Sequence, residues 1–326
     1  MLAKKLQFRG LFLLVPFFAL LVGVAFAGSY MNWGNPNVQF QRKVVAEQFE
    51  GIRKSEEASQ RVLVVGGSNV SFSIQPELLK EEFGLEVLNM GLPAGTGRGL
   101  HCEWALQEVR AGDIVVLTFE STGWTEAEET LITPLGSQFW YLTVGPHYGW
   151  KSKLSELPVE DQEERYRWTD IRPGGKHLVT LAAKVAFRQP LFRYTEKDLH
   201  AGGYLKGTSG WGIQPGGGLL DLELAPMQRE LLKGMKARVE EQGAQLVISL
   251  PWRLTKENLL EQQRSLNQKL ISQLSQHAPV LDDPRSGACS QLDWYADTHW
   301  HLTEVGAQER SRAFGKGLLA FGAQGS

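Results

Sequence analysis

Two short stretches hold residues whose types and spacing could do covalent chemistry. The first is "VLVVGGSNVSF" (62–72), where an apolar run ends in Gly66 and Gly67 and then Ser68 and Asn69. The second is "DWYADTHWHLTEVGA" (293–307), which gathers Asp297, His299 and His301. A serine hydroxyl is a poor nucleophile at neutral pH and needs a base beside it. That base in turn needs a carboxylate to fix its tautomer and orientation. Ser68 supplies the hydroxyl, either histidine the base, and Asp297 the carboxylate. Two plainer readings compete with this one. Ser68 could simply cap the helix that follows. Two histidines and an aspartate could also begin a metal site, but no further ligand stands at helical or hairpin spacing. No metal and no cofactor is therefore expected.

The elements around these stretches alternate regularly. "RVLVVGG" (61–67), "LEVLNMG" (85–91), "DIVVLTFES" (113–121) and "AQLVISLPW" (244–252) are near-continuous apolar runs. Such runs indicate strands buried on both faces of a parallel sheet. Between them lie helical patterns at 74–84, 95–112 and 224–243; another at 257–278 follows the fourth run, and a last helix starts from about Thr303. The fold class is α/β, built from βαβ units. In open parallel sheets ligands bind at the carboxyl ends of strands, which is where Ser68 falls. Glycines at 66 and 67 would let the chain turn tightly there and let a substrate come close.

Residues 122–215 break the rhythm. They are rich in aromatics, Pro and Gly, as in "GSQFWYLTVGPHYGW", and read as an insertion with helices at 126–133 and 176–189. Long ordered insertions commonly serve as lids or binding loops. Ten tryptophans are many for 326 residues, and they fit either a packed core or a ligand-lined cleft.

The N-terminus reads as an address. Lys4, Lys5 and Arg9 precede the uncharged "LFLLVPFFALLVGVAFA" (11–27), and Ala25-Phe26-Ala27 has the form of a cleavage site. Residues 1–29 are thus a signal peptide or an uncleaved membrane anchor, just long enough to span about 30 Å of hydrocarbon. Residues 30–60 form a helical connector, and 61–326 the chemical domain with its insertion. The domain is expected outside the cytoplasm, in the periplasm or cell envelope. Cys102 and Cys289 suit that compartment. A bridge between them would contribute about 4 kcal/mol or more, and two buried unpaired thiols are the equal alternative. A net charge of −2, with no dense basic run, argues against a nucleic-acid partner.

Three motifs together resemble a known family. A strand ending in Gly-x-Ser, "NMG" (89–91) at the end of the next strand, and "DTHWHLTEVG" (297–306) are similar to the SGNH/GDSL hydrolases. The similarity covers most of residues 61–318 apart from the insertion. It is nearest to membrane-tethered members that act in surface-polysaccharide acylation, among them the alginate O-acetyltransferases and the D-alanyl transfer protein of teichoic acids. The resemblance implies a three-layer α/β/α sandwich, flavodoxin-like in topology, with a Ser-His-Asp triad. Ser68 would be the nucleophile and Asp297 the carboxylate. Gly91 and Ser68 would supply main-chain N–H groups to an oxyanion hole. "HLTEVG" aligns His301 with the family base and is preferred; "DTHW" would give that role to His299. One departure stands out. The third family block offers an Asn donor, whereas this chain reads "VVLTFESTGW", with Glu120. An ionised glutamate cannot donate, so Asn69 or a group of the insertion is the candidate replacement, and Glu120 is better read as a structural acid. The function implied is an extracytoplasmic serine esterase or O-acyltransferase working on acyl groups of a cell-surface polysaccharide. Its partners would be an acylated glycan or acyl donor, the membrane, and a membrane-bound acyltransferase or export machinery. The alternative is a non-catalytic protein of the same fold that binds polysaccharide or assists assembly.

Overall fold

The computed structural model describes residues 16–23, 36–125, 139–148, 194–208, 213 and 218–325. The helices expected at 126–133 and 176–189 lie outside these residues. Contacts divide the chain into two compact units, Met1–Arg42 with Gly145–Thr195 and Lys43–Val144 with Glu196–Ser326. In the first, residues 16–23 are helical, and Phe17, Phe18, Leu20, Leu21 and Val22 are exposed. Among the described residues no helix is long and apolar enough to cross a membrane.

The second unit carries the sheet. Strands β1 (Val62–Gly66), β2 (Val87–Gly91), β3 (Ile114–Thr118) and β4 (Gln245–Ile248) are all parallel, in the order β2-β1-β3-β4. Val280 adds one parallel bridge to Ile248 beyond β4. The apolar runs are strands because both faces are covered: every residue of β1, β2 and β3 is buried. Side chains alternate across a sheet. Val62, Val64, Val87, Ile114, Val116 and Val247 meet Leu79 of α3 (Pro76–Phe83) and Phe314 and Leu318 of α7 (Glu304–Gly325) on one face. The opposite face takes α4 (Arg98–Glu108) and α5 (Pro226–Glu241), which pack on β1 and β4. The result is the three-layer α/β/α arrangement.

Three further elements complete the unit. Helix α1 (Pro36–Lys54) buries Val44, Val45, Gln48 and Ile52, so the connector region is not a free linker over its second half. Gln48 Nε2 donates to the carbonyl of Gly91 at 2.8 Å. Helix α6 (Leu260–Leu274) follows β4. A second, two-stranded parallel sheet pairs β5 (Arg253–Leu254) with β6 (Ala288–Cys289). No sequence pattern announces it, because two-residue strands have no period to read.

The strand order reverses between β1 and β3, so a crevice opens at their carboxyl ends. At the amino ends the same two strands are locked. Arg61 and Asp113 are both buried, with Nη2–Oδ2 at 2.6 Å and Nε–Oδ1 at 3.2 Å. The paired, hydrogen-bonded geometry compensates the cost of burying the two charges. Cys102, in α4, and Cys289, in β6, are buried and carry no disulfide. Burial pushes the Cys102 thiol up to about 12 and also raises that of Cys289.

Candidate active site

The chain leaves β1 at Gly66 and enters a one-turn helix, α2 (Ser68–Ser71), with Gly67 as its N-cap. Gly67 has φ −74° and ψ −166°, open to any residue. The glycines are needed here for close approach, not for a left-handed turn. A Cβ on Gly66 would lie 2.3 Å from the carbonyl oxygen of Thr118. One on Gly91 would lie 2.5 Å from the nitrogen and hydroxyl of Ser71. The bare backbones of β1 and β2 therefore let α2 sit directly on the strand ends.

Side-chain amides then clamp that turn. Asn69 Nδ2 donates to Thr118 O at 2.9 Å. Asn89 Nδ2 donates to Val70 O at 3.0 Å and Ile74 O at 2.9 Å. The returning insertion adds Leu205 N–H to Ser71 O at 2.7 Å. Ser311 of α7 donates to Ser73 O and accepts from the amide of Gln75. The turn that carries Ser68 is thereby held from the sheet, from α7 and from the insertion.

The candidate base, His301, comes from a short loop just before α7. An antiparallel bridge between Tyr295 and Leu302 closes residues 296–301 into a hairpin-like loop. Ala296 N–H donates to His301 O at 2.9 Å. Inside it, Thr298 Oγ1 accepts from the amides of Trp300 at 3.2 Å and His301 at 3.0 Å. This local side-chain turn bends the backbone, so 297, 299 and 301 do not line up as on a strand. The main-chain carbonyl of His299 accepts from Leu254 N–H at 2.9 Å, which ties the loop to β5. Gly207, at the end of the insertion, bridges Thr303.

These two scaffolds bring together residues 233 positions apart. His301 Nε2 lies 2.8 Å from Ser68 Oγ, and His301 Nδ1 lies 2.8 Å from Asp297 Oδ1. With the serine hydroxyl donating to Nε2, the Nδ1–H donates to the carboxylate. The Asp297 side chain is 5% exposed and that of His301 13%, so the pair is sheltered yet reachable from the crevice. The ring of Phe72 stacks on the imidazole, with centroids 4.1 Å apart and planes 21° apart. An arrangement of this kind can deprotonate the serine as it attacks an acyl carbon. His299 is not the histidine on Ser68.

The expected oxyanion donors fare unevenly. Ser68 lies at the strand end, as expected. The Gly91 amide, in contrast, donates to Asn89 Oδ1 at 3.1 Å, and Asn69 is wholly buried with its amide on Thr118. The Gly91 amide is thus engaged by Asn89, and the Asn69 side chain by the end of β3. The segment that does lie against the nucleophile turn is Ala94–Thr96. A Cβ on Gly67 would touch Ala94 Cβ at 3.2 Å. Glu120 is the N-cap of the turn after β3 and its carbonyl accepts from Gly123 N–H. Among the described residues no group of three His, Cys, Asp or Glu is placed to hold a metal ion. Sequence reasoning missed Thr298 and Phe72. Phe72 stands four residues after Ser68, a helical spacing that could have flagged it.

No protein-family model matches this chain, and no curated protein does. Among solved structures, protein YxiM from Bacillus subtilis matches at 12% identity and a TM-score of 0.35, over 81% of this chain and 57% of that one. A Streptococcus pneumonia protein, provisionally described as a platelet activating factor, matches at 12% identity and a TM-score of 0.34, over 89% of this chain and 98% of its own. At these scores neither likeness bears on function.

Proposed function

We propose that the protein is a serine esterase or O-acyltransferase that works outside the cytoplasm on acyl groups of a cell-surface polysaccharide. The observation that carries the reading is the pair of 2.8 Å contacts that join Ser68, His301 and Asp297. Ser68 Oγ attacks an ester carbonyl while His301 Nε2 takes its proton. Asp297 holds the ring and offsets the positive charge that develops on it. His301 then protonates the departing alcohol, leaving an acyl-enzyme. Water or a sugar hydroxyl, deprotonated by the same imidazole, releases the acyl group, so hydrolysis and transfer share one site. We assign an oxyanion donor to the main-chain N–H of Ser68, the Gly91 amide and the Asn69 side chain being bonded elsewhere. The basic, then apolar, N-terminus supports export, and the exposed apolar side chains of residues 16–23 suit a lipid environment.

A second reading has its own support. With Glu120 where the family places an Asn, and with the Gly91 amide occupied, the hole is short of donors. Loss of one such donor typically costs about 2.7–4 kcal/mol of transition-state stabilisation. A polysaccharide-binding or assembly protein of the same fold would tolerate that loss. Turnover of p-nitrophenyl acetate by the full-length chain separates the two. Wild type should hydrolyse it and Ser68→Ala should lose several orders of magnitude. Activity in Ser68→Ala above about a tenth of wild type would reject the triad, given the usual size of nucleophile deletions.

A further inference from the structure

The two hydrogen bonds of His301 both lie in the plane of its ring. Together they fix Nδ1 and Nε2, but they leave the imidazole able to rock about the line through its two partners. A face contact is what resists that motion. Phe72 supplies it, stacked at 4.1 Å and 21° while itself only 3% exposed.

Phe72 is also joined to the nucleophile. It is the C-cap of α2, with φ −97° and ψ −1°, and its N–H donates to Ser68 O at 3.1 Å. The plate that sets the ring's tilt and the hydroxyl that the ring must reach thus belong to one turn. That turn is held as a body by Asn69, Asn89 and Leu205. His301, by contrast, arrives on a separate loop, whose register with α2 no covalent neighbour fixes.

We propose that Phe72 is a positioning residue for the imidazole of His301, a flat wall that keeps Nε2 aligned on Ser68 Oγ while the proton passes. The proposal rests on reading Ser68, His301 and Asp297 as an acyl-transfer triad. Misplacement of a reacting group by about 1 Å can cost about a hundredfold in rate. Partial release of one face should cost about tenfold on the same scale. Because Phe72 acts through the base and not through substrate contacts, the loss belongs in kcat and not in KM.

The test compares Phe72→Leu, Phe72→Tyr and Ser68→Ala in the full-length chain, with p-nitrophenyl acetate as substrate and the thermal midpoint as a control. Leucine keeps most of the apolar volume and removes the flat ring, whereas tyrosine keeps the ring. The expected result is a kcat about tenfold lower for Phe72→Leu, a KM within about twofold, and near wild-type kcat for Phe72→Tyr. If Phe72→Leu fails to fold, Phe72→Met takes its place under the same expectations. Unchanged kcat in the Leu or Met variant would overturn the proposal. So would equal losses in the ring-keeping and ring-lacking variants that follow the fall in thermal midpoint, because they would mark a packing role. Full activity in Ser68→Ala would remove the triad and this inference with it, whereas a silent Ser68→Ala beside an unaffected Phe72→Leu would remove the inference only.

Discussion

Two histidines lie near the carboxyl end of the sheet and differ in what faces their ring nitrogens. His301 is partly exposed, stands on a loop, and has a carboxylate on one nitrogen and a serine hydroxyl on the other. His101, in α4, is 1% exposed and lies 2.7 Å from Thr96 Oγ1 through Nε2. Its Nδ1 has no hydrogen-bond partner among the described residues. Burial drives its pKa down to about 3, and the nearby Arg98 charge adds to the effect. A buried ring with no anion beside it stays neutral and packs. The same ring with a compensating carboxylate can accept and return a proton. The two histidines differ in what faces each nitrogen, and on the proposed reading that difference separates a packed ring from a base.

That contrast can be broken or sharpened by substitution. The largest effect is expected at His301. His301→Ala should cut acyl-ester turnover by at least about a thousandfold, as removal of a triad member does. His299→Ala should be milder by at least about tenfold, because its carbonyl, a main-chain group, makes the contact to Leu254. The reverse ranking in steady-state kinetics would move the base to His299. Next comes the carboxylate. Asp297→Asn should lower kcat by about 10³–10⁴-fold, since an amide can impose the wrong tautomer on the ring. Thr298→Val keeps the shape of the side chain but removes the acceptor for two loop amides. Its expected cost is about tenfold in kcat, a positional effect, and a value equal to wild type would show that the Tyr295–Leu302 closure suffices.

The smallest effect concerns His101 and is read in stability. Its folded-state pKa, about 3, lies below the ordinary 6.5. Between those values the unfolded chain binds a proton that the folded chain refuses. The fold therefore loses stability as pH falls from about 6.5 towards 3. His101→Gln has no such proton to bind. Its thermal midpoint should fall less steeply over that range, by about a few degrees for a chain of this size. Parallel acid limbs for the two proteins would show that His101 carries no part of the acid sensitivity.

Much of the site was legible because chemistry constrains residue type. Ser68 at a strand end and the Asp297–His301 pair before a helix could be picked out from "GGSN" and "DTHWH". The strands were legible too, since β1, β2 and β3 are wholly buried, β4 is buried after Gln245, and all four spell near-continuous apolar runs. What the sequence hid were roles set by close contact. "NMG" drew attention to Gly91 as a donor, yet Asn89 takes the Gly91 amide and clamps α2 with its own. Asn69 was legible as an amide near the nucleophile, but not as one already bonded to Thr118. Gly66 and Gly67 suggested a tight turn, whereas Gly66 is required because Thr118 O stands where its Cβ would be. The choice between His301 and His299 turned on Thr298, whose hydroxyl bends the loop in a way that alternation along a strand does not describe.

The central claim is that His301 activates Ser68, and covalent labelling tests it most directly. A fluorophosphonate probe should modify the full-length chain, and mass spectrometry should place the adduct on the peptide that contains Ser68. Labelling should disappear in His301→Ala and persist in His299→Ala. No adduct on wild type, an adduct on another serine, or undiminished labelling of His301→Ala would contradict the account.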